Sequence, residues 1–212
     1  MPSQYQEIQN IVKNRQIPYL VHFTRLENLH SILKNGLIPR SIIDNAPNNS
    51  PLKTANVNDD IRVDYKTSFN CASISFPNSR MFYKYRKLRG SGWVILLLRP
   101  KILWEKKCLF YPVNAASGTV SQLPMTQFST AQALENMFAG ERDQWLQPHD
   151  PTDVQAEVMI EGIIESNYIG ICIFETKELA NKYAKEFEGI KMIQHNHLYS
   201  NRQYARQNGF HR

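Results

Sequence analysis

The chain has 212 residues, 42% of them hydrophobic and 21% charged, and a formal net charge of +6. That length and composition support one substantial core and exclude a disordered or membrane-spanning chain, since the longest apolar run, WVILLLRP at 93–100, ends in Arg99 and Pro100. Cys71, Cys108 and Cys172 are odd in number and lack a CxxC spacing, which fits buried thiols in a reducing compartment better than a disulfide framework or a zinc knot.

The opening MPSQYQEIQNIVKNR is polar and amphipathic, without the apolar core of a secretory signal, so the expected location is the cytoplasm. Residues 4–15 read as a helix with Ile8, Ile11 and Val12 inward, and YLVHFT at 19–24 as a strand. TRLE at 24–27 has the form of a capping box for a helix that carries Leu26, Leu29, Ile32 and Leu33 on one side and stops at Gly36. The Asn-, Pro- and Asp-rich stretch 39–60 reads as a long loop. CASISF at 71–76 alternates as a strand, NSRMFYKYRKL reads as a helix with Met81, Tyr85 and Leu88 on one side, and 93–98 is a buried strand. Residues 112–156 form a second irregular region around a helix at 130–139. Strands at 157–163 and 168–174 enclose a tight turn, and an amphipathic helix at 177–188 precedes a last strand near 190–194. The tail from about residue 200 is expected to be flexible and basic. The sum is α+β in one domain, without the βαβ rhythm of a doubly wound sheet.

Three groups of residues can carry chemistry. On an extended strand, Leu20, His22 and Thr24 share one face, so His22 and Thr24 can bind one polar ligand, although Thr24 alone is equally suited to capping the next helix. Arg62 sits among Asp59, Asp60 and Asp64, where a local ion pair is the bland alternative. In AEVMIEG, Glu157 and Glu161 point the same way but stand roughly 13 Å apart at about 3.3 Å per residue, too far to serve as an acid–base pair on one bond. One isolated carboxylate in a cleft suits a different task, holding a sugar hydroxyl and opposing positive charge at a reacting carbon. Separately, SRMFYKYRKLR interleaves cations with aromatic rings, as unpaired nucleic acid requires, or as a solvated helix with buried aromatics would also show. His195 and His197 form an HxH without further ligands nearby, and no metal is expected.

Taken in order, VHFTRLENLHSILKNGLIP, SISFPNSRMFYKYR and PTDVQAEV resemble the DarT family of DNA ADP-ribosyltransferase toxins, over roughly Ile17 to Ile193. The resemblance implies an ADP-ribosyltransferase-like fold, a split β-sheet around an NAD cleft, and transfer of ADP-ribose from NAD to a base, expected to be thymidine, in single-stranded DNA. No GxGxxG follows a strand, so a Rossmann site is unsupported. The resemblance further implies that His22, Phe23 and Thr24 receive the nicotinamide end of NAD, that Ser31 lies near the cofactor, and that Pro39 and Arg40 begin a loop over it. It implies that Glu157 and Arg62 are catalytic, Arg62 also contacting NAD, and that residues 113–156 present the acceptor base. Position 155 is Gln155, not the first acid of a Glu-x-Glu pair, so an arginine acceptor is not expected.

Arg80, Tyr83, Lys84, Arg86 and Lys87 are the expected DNA contacts. By analogy with the family, the expected partner is a DarG-like macrodomain antitoxin, and the protein itself is expected to be a monomer. Two other classes use the same residues differently. A ribonuclease-type toxin would employ His22, Arg62 and Glu157 without NAD, and a non-catalytic module for single-stranded nucleic acid would need only the basic helix.

Overall fold

The structure, a computed structural model, describes residues 2–55, 66–187 and 189–210. It begins with α1 (Gln4–Asn14), whose N-terminus is closed by a capping box between Ser3 and Gln6 and whose Ile8, Ile11 and Val12 are buried. β1 (Leu20–Arg25) follows, then α2 (Leu29–Asn35), α3 (Arg40–Asn45) and β2 (Phe69–Ile74). Next come α4 (Ser79–Arg89), β3 (Trp93–Leu98), α5 (Ile102–Glu105), β4 (Cys108–Tyr111) and α6 (Ala131–Asn136). The chain then forms β5 (Glu157–Glu161), β6 (Ile169–Phe174), α7 (Lys177–Glu186), β7 (Lys191–Gln194) and α8 (Arg202–Gln207).

The strands make one open seven-stranded sheet in the order β4-β5-β2-β1-β3-β6-β7, antiparallel except for the parallel pair β6 and β7. β3 is buried along its whole length, and each such aliphatic or aromatic side chain contributes about 1.5–3 kcal/mol by leaving water. The shortest pairing is that of β1 with β2. β1 matches β3 at six positions, but it matches β2 only at Leu20/Ile74 and Val21/Ser73. Beyond those two pairs the strands diverge, and the sheet splits into a β4-β5-β2 half and a β1-β3-β6-β7 half.

The two faces are filled differently. One face carries a single continuous core, in which Leu20, Ile74, Leu96 and Val158 pack beneath α1, α2, α6 and α7. The opposite face carries two separate clusters. One gathers Val21, Ile95 and Ile173 against Phe82 and Tyr85 of α4 and Tyr199, and the other joins Phe69, Leu109, Tyr111 and Met159 to Ala115 and Phe128. By strand alternation Ser73 and Glu157 belong to this divided face.

Several expectations need correction. TRLE is not a capping box: β1 continues to Arg25, a 3-10 turn at Leu26–Asn28 intervenes, and α2 starts without a side-chain cap. Thr24 instead accepts a hydrogen bond from Asn28 Nδ2 at 3.0 Å, and Glu27 pairs with Arg25. The stretch after Pro39 contains α3 and a 3-10 turn at Pro51–Thr54, and the sequence reading missed α5 and β4. β5 and β6 do not form a hairpin, because β5 pairs with β2 and β4 while β6 pairs with β3 and β7, one in each half of the sheet. On α4 the inward residues are Ser79, Phe82 and Tyr85, whereas Leu88 is 69% exposed. Phe82 takes the core place because it stacks on Phe23 and meets Trp93 edge-on. Finally, residues 202–207 are not a loose tail. They form α8, with Arg202 and Arg206 buried.

Candidate functional site

The split between β1 and β2 opens into a cleft of about 480 Å³. β1 contributes His22, Phe23 and Thr24, α2 contributes Ser31, α3 contributes Arg40, α4 contributes Met81, Lys84 and Tyr85, and β5 contributes Glu157. Residues far apart in sequence thus converge because the two halves of the sheet separate where their side chains face one another.

Glu157 is the first residue of β5 and is only 6% exposed. Its Oε2 accepts the Ala115 backbone N–H at 2.9 Å and its Oε1 accepts Asn114 Nδ2 at 3.4 Å. Asn114 is itself oriented, since its Oδ1 accepts the Ala116 N–H at 2.9 Å. The cause lies in strand register: β4 ends with Tyr111 opposite Glu157, so the turn that follows β4 falls over the carboxylate. Glu161 lies at the far end of β5, pairs with Lys107 at 3.1 Å, and does not line the cleft. The two acids are therefore separated in role as well as in distance.

His22 Nδ1 is 2.7 Å from the Cys71 carbonyl oxygen. A carbonyl only accepts, so Nδ1 carries the proton and donates across the diverging strands. Thr24 is nearly buried beside Asn28, and Ser31 accepts from Asn35 Nδ2 at 3.3 Å. Arg40 borders the cleft while its Nε donates to Asp44 at 2.6 Å, one turn further along α3. Pro39 is the N-cap residue of α3 and sits behind Arg40, not in the cleft lining. Arg62 lies outside the described residues.

The five expected DNA contacts on α4 part company. Lys84 faces the cleft. Tyr83 is 64% exposed with the Lys87 ammonium 5.8 Å from its ring, and Arg80 reaches Gln155 just ahead of β5 at 3.4 Å. Arg86 is engaged elsewhere: it pairs with Glu175, donates to the Tyr199 carbonyl at 2.7 Å, and lies over the Phe82 and Tyr199 rings.

Sequence reasoning missed Asn114, Ala115, Asn28, Ser73 and Asn78. The run VNAASG after β4 carries the small, turn-forming residues that could have marked the first two. It also missed Asp150, which stands behind the site with no exposed side-chain surface. Asp150 accepts two bonds from Arg206, at 2.6 and 2.8 Å, one from Ser75 Oγ at 2.6 Å and one from the Gln147 N–H at 2.9 Å. Burial alone pushes its pKa up, but the Arg206 bonds and charge, with Ser75 and Gln147, leave it below the ordinary aspartate value. Arg202 and Arg142 add bonds to the Pro151, Thr152 and Asp150 carbonyls, so α8 pins the segment that leads into Glu157. Ser75, at φ +60°, turns the end of β2 toward Asp150.

No cluster of three metal-ligating side chains occurs among the described residues, and no helix among them is long and apolar enough to cross a membrane. A family model described as ssDNA thymidine ADP-ribosyltransferase, DarT, matches residues 21–207. No curated protein matches the chain. Among solved structures, Thermosipho africanus DarTG in complex with ADP-ribose is similar with a TM-score of 0.57 at 17% identity, over 85% of this chain and 50% of that one. Thermus sp. 2.9 DarT in complex with NAD+ gives 0.56 at 13% identity, over 87% and 98%. The same Thermus protein in complex with ADP-ribosylated ssDNA gives 0.54 at 14% identity, over 87% and 97%. At these identities the likeness is one of fold. The chain spans half the length of the Thermosipho protein and nearly all of the Thermus one.

Proposed function

The chain belongs to the DarT family of ssDNA thymidine ADP-ribosyltransferases, and from that premise we propose that the split-sheet cleft takes NAD and passes its ADP-ribosyl group to thymidine in single-stranded DNA. The observation that carries this reading is Glu157: a buried carboxylate at the start of β5, held by Asn114 and Ala115, that lines the cleft between the two half-sheets.

The cleft fits the donor. Its volume lies within the ~300–1,000 Å³ common for ligand pockets, and it combines a hydrogen-bonding wall (His22, Thr24, Asn28, Ser31, Arg40) with an apolar one (Phe23, Met81, Tyr85). NAD supplies the ADP-ribosyl group and nicotinamide as the leaving group. Glu157 accepts from a ribose hydroxyl and opposes the positive charge that grows at the anomeric carbon as nicotinamide departs, so its contribution is greatest at the transition state. The bonds from Ala115 and Asn114 fix the carboxylate beforehand, which spares reorganisation during the reaction. His22 presents a fixed tautomer to the nicotinamide end, Ser31 lies near the cofactor, and Pro39 starts the helix that brings Arg40 to the diphosphate. We assign Arg62 to the same machinery through its place in the family pattern.

DNA approaches along α4, where Tyr83 offers a ring for stacking and Lys84, Lys87 and Arg80 offer charge. Arg86 is withdrawn from that role by its partners. We further propose that the protein acts in the cytoplasm as a monomer and is held in check by a macrodomain antitoxin of the DarG kind. Incubation with NAD and single-stranded oligonucleotides, read by intact mass, tests the reading: an ADP-ribosyl adduct on thymidine-containing strands is expected. A cut strand would reassign the chain to the nucleases, and an unaltered strand would leave it a binding module.

A further inference from the structure

We propose that Asn78 and the first turn of α4 form the subsite for a carbonyl oxygen of the acceptor thymine, and that this subsite stabilises the charge the base acquires as its ring nitrogen becomes a nucleophile. The inference rests on the transferase reading above and assigns a residue to base choice.

Asn78 borders the cleft yet is only 2% exposed. Its Oδ1 accepts the Met81 N–H at 3.1 Å, and its backbone carbonyl accepts the Phe82 N–H at 2.9 Å. Its Nδ2 has no hydrogen-bond partner among the described residues. A buried donor left without an acceptor costs about 1–3 kcal/mol, and such a group persists where something outside the fold completes it. The amides of Ser79 and Arg80 lie ahead of the first intrahelical bond of this 11-residue helix, so the positive end of its dipole adds to the same spot.

The two walls of the cleft divide the substrates. If the wall of β1, α2 and α3 takes the donor, attack on the anomeric carbon opposite nicotinamide must come from the wall where α4 places Asn78, Met81 and Lys84. In thymine, N3 lies between two carbonyls, O2 and O4. In cytosine an amino group replaces O4 and would set donor against donor. In the transfer, the bond between the anomeric carbon and N3 forms as the bond to nicotinamide breaks. The electron pair of the broken bond leaves with neutral nicotinamide, and the N3 proton passes to solvent. As that proton departs, negative charge spreads onto O2 and O4. A fixed amide donor and a helix N-terminus at one of these oxygens lower the cost of that charge.

Asn78→Asp separates this role from capping, because aspartate keeps an oxygen for the Met81 N–H but replaces the donor by an anionic acceptor. Asn78→Ser likewise keeps a capping oxygen and removes the donor without adding charge. With thymidine-containing single strands, kcat for transfer should fall about 100-fold in Asn78→Asp and about tenfold in Asn78→Ser. In both variants the pH profile of transfer should move to higher pH, since the base must lose its proton unaided. The melting temperature and the NAD dissociation constant should match wild type. Wild-type transfer by Asn78→Asp overturns the proposal. Weakened NAD binding overturns it by moving Asn78 to the donor wall, and a loss of transfer that tracks a lowered melting temperature does so by making Asn78 structural. Absence of any adduct from the unaltered enzyme is a separate failure, that of the transferase reading, and takes the subsite with it.

Discussion

Asp150 and Arg206, 56 residues apart, meet through two parallel hydrogen bonds of 2.6 and 2.8 Å with neither side chain exposed. The pair joins the C-terminal helix to the segment that ends in Glu157. Removing one partner leaves the other charge buried alone, so Arg206→Ala should cost about 3–5 kcal/mol in urea unfolding. Deleting the chain from residue 202 onward should cost at least as much.

The same pair sets an acid limit. Asp150 has a folded pKa below its unfolded one, so its stabilisation is fully present above the ordinary aspartate value and is lost as pH falls through that value toward the lower, folded one. Melting temperatures of wild type should drop below about pH 4. Asp150→Asn, already destabilised at neutral pH, should show a shallower fall over that window. Parallel acid profiles would remove Asp150 from this role.

Glu157→Gln keeps shape and one acceptor oxygen while removing the charge. Transfer should fall by about 100-fold or more with NAD affinity little changed. Glu161→Gln, at the other end of β5, should leave transfer near wild type, and single-turnover rates on both variants decide the matter.

On α4, Lys84→Ala with Lys87→Ala should weaken binding to single strands and reduce the slope of log affinity against log salt by about 1.4, at roughly 0.7 per phosphate contact. Arg86→Ala should leave that slope alone and lower the melting temperature instead, because its charge is spent on Glu175 and the Tyr199 carbonyl. An identical slope change in both would return Arg86 to the DNA surface.

Arg62→Lys preserves charge but not the planar fork. If Arg62 holds donor and base together, transfer should collapse with the melting temperature unchanged. Retained activity would mean that its neighbouring aspartates are its only business.

Much of this was legible from the sequence, and what was not has identifiable causes. α1, β3 and α7 announce themselves because one periodicity governs each and their partners are the general core. β4 spans only four residues beside two lysines, and α3 only six in a stretch rich in Asn and Pro, so neither accumulates a pattern. α8 misled for a different reason: its inward residues include two arginines, and Arg206 becomes credible as buried only once Asp150 is known to lie opposite. Glu157 stands out in the sequence through its motif, but Asn114 and Ala115, which hold it, depend on the register of β4 against β5, which no local pattern records.

The short pairing of β1 with β2 has one more consequence. A strand that loses its neighbour presents backbone donors and acceptors in a row, and on the outside of a protein such a row invites another chain to add itself. Here the stretch of β1 from His22 to Thr24, paired with β3 on one side, lies between two halves of the same sheet, and residues of α2 and α4 line the same cleft. The fold thereby encloses the end of its short β1–β2 pairing within the molecule, away from the edge-to-edge association that an exposed strand invites.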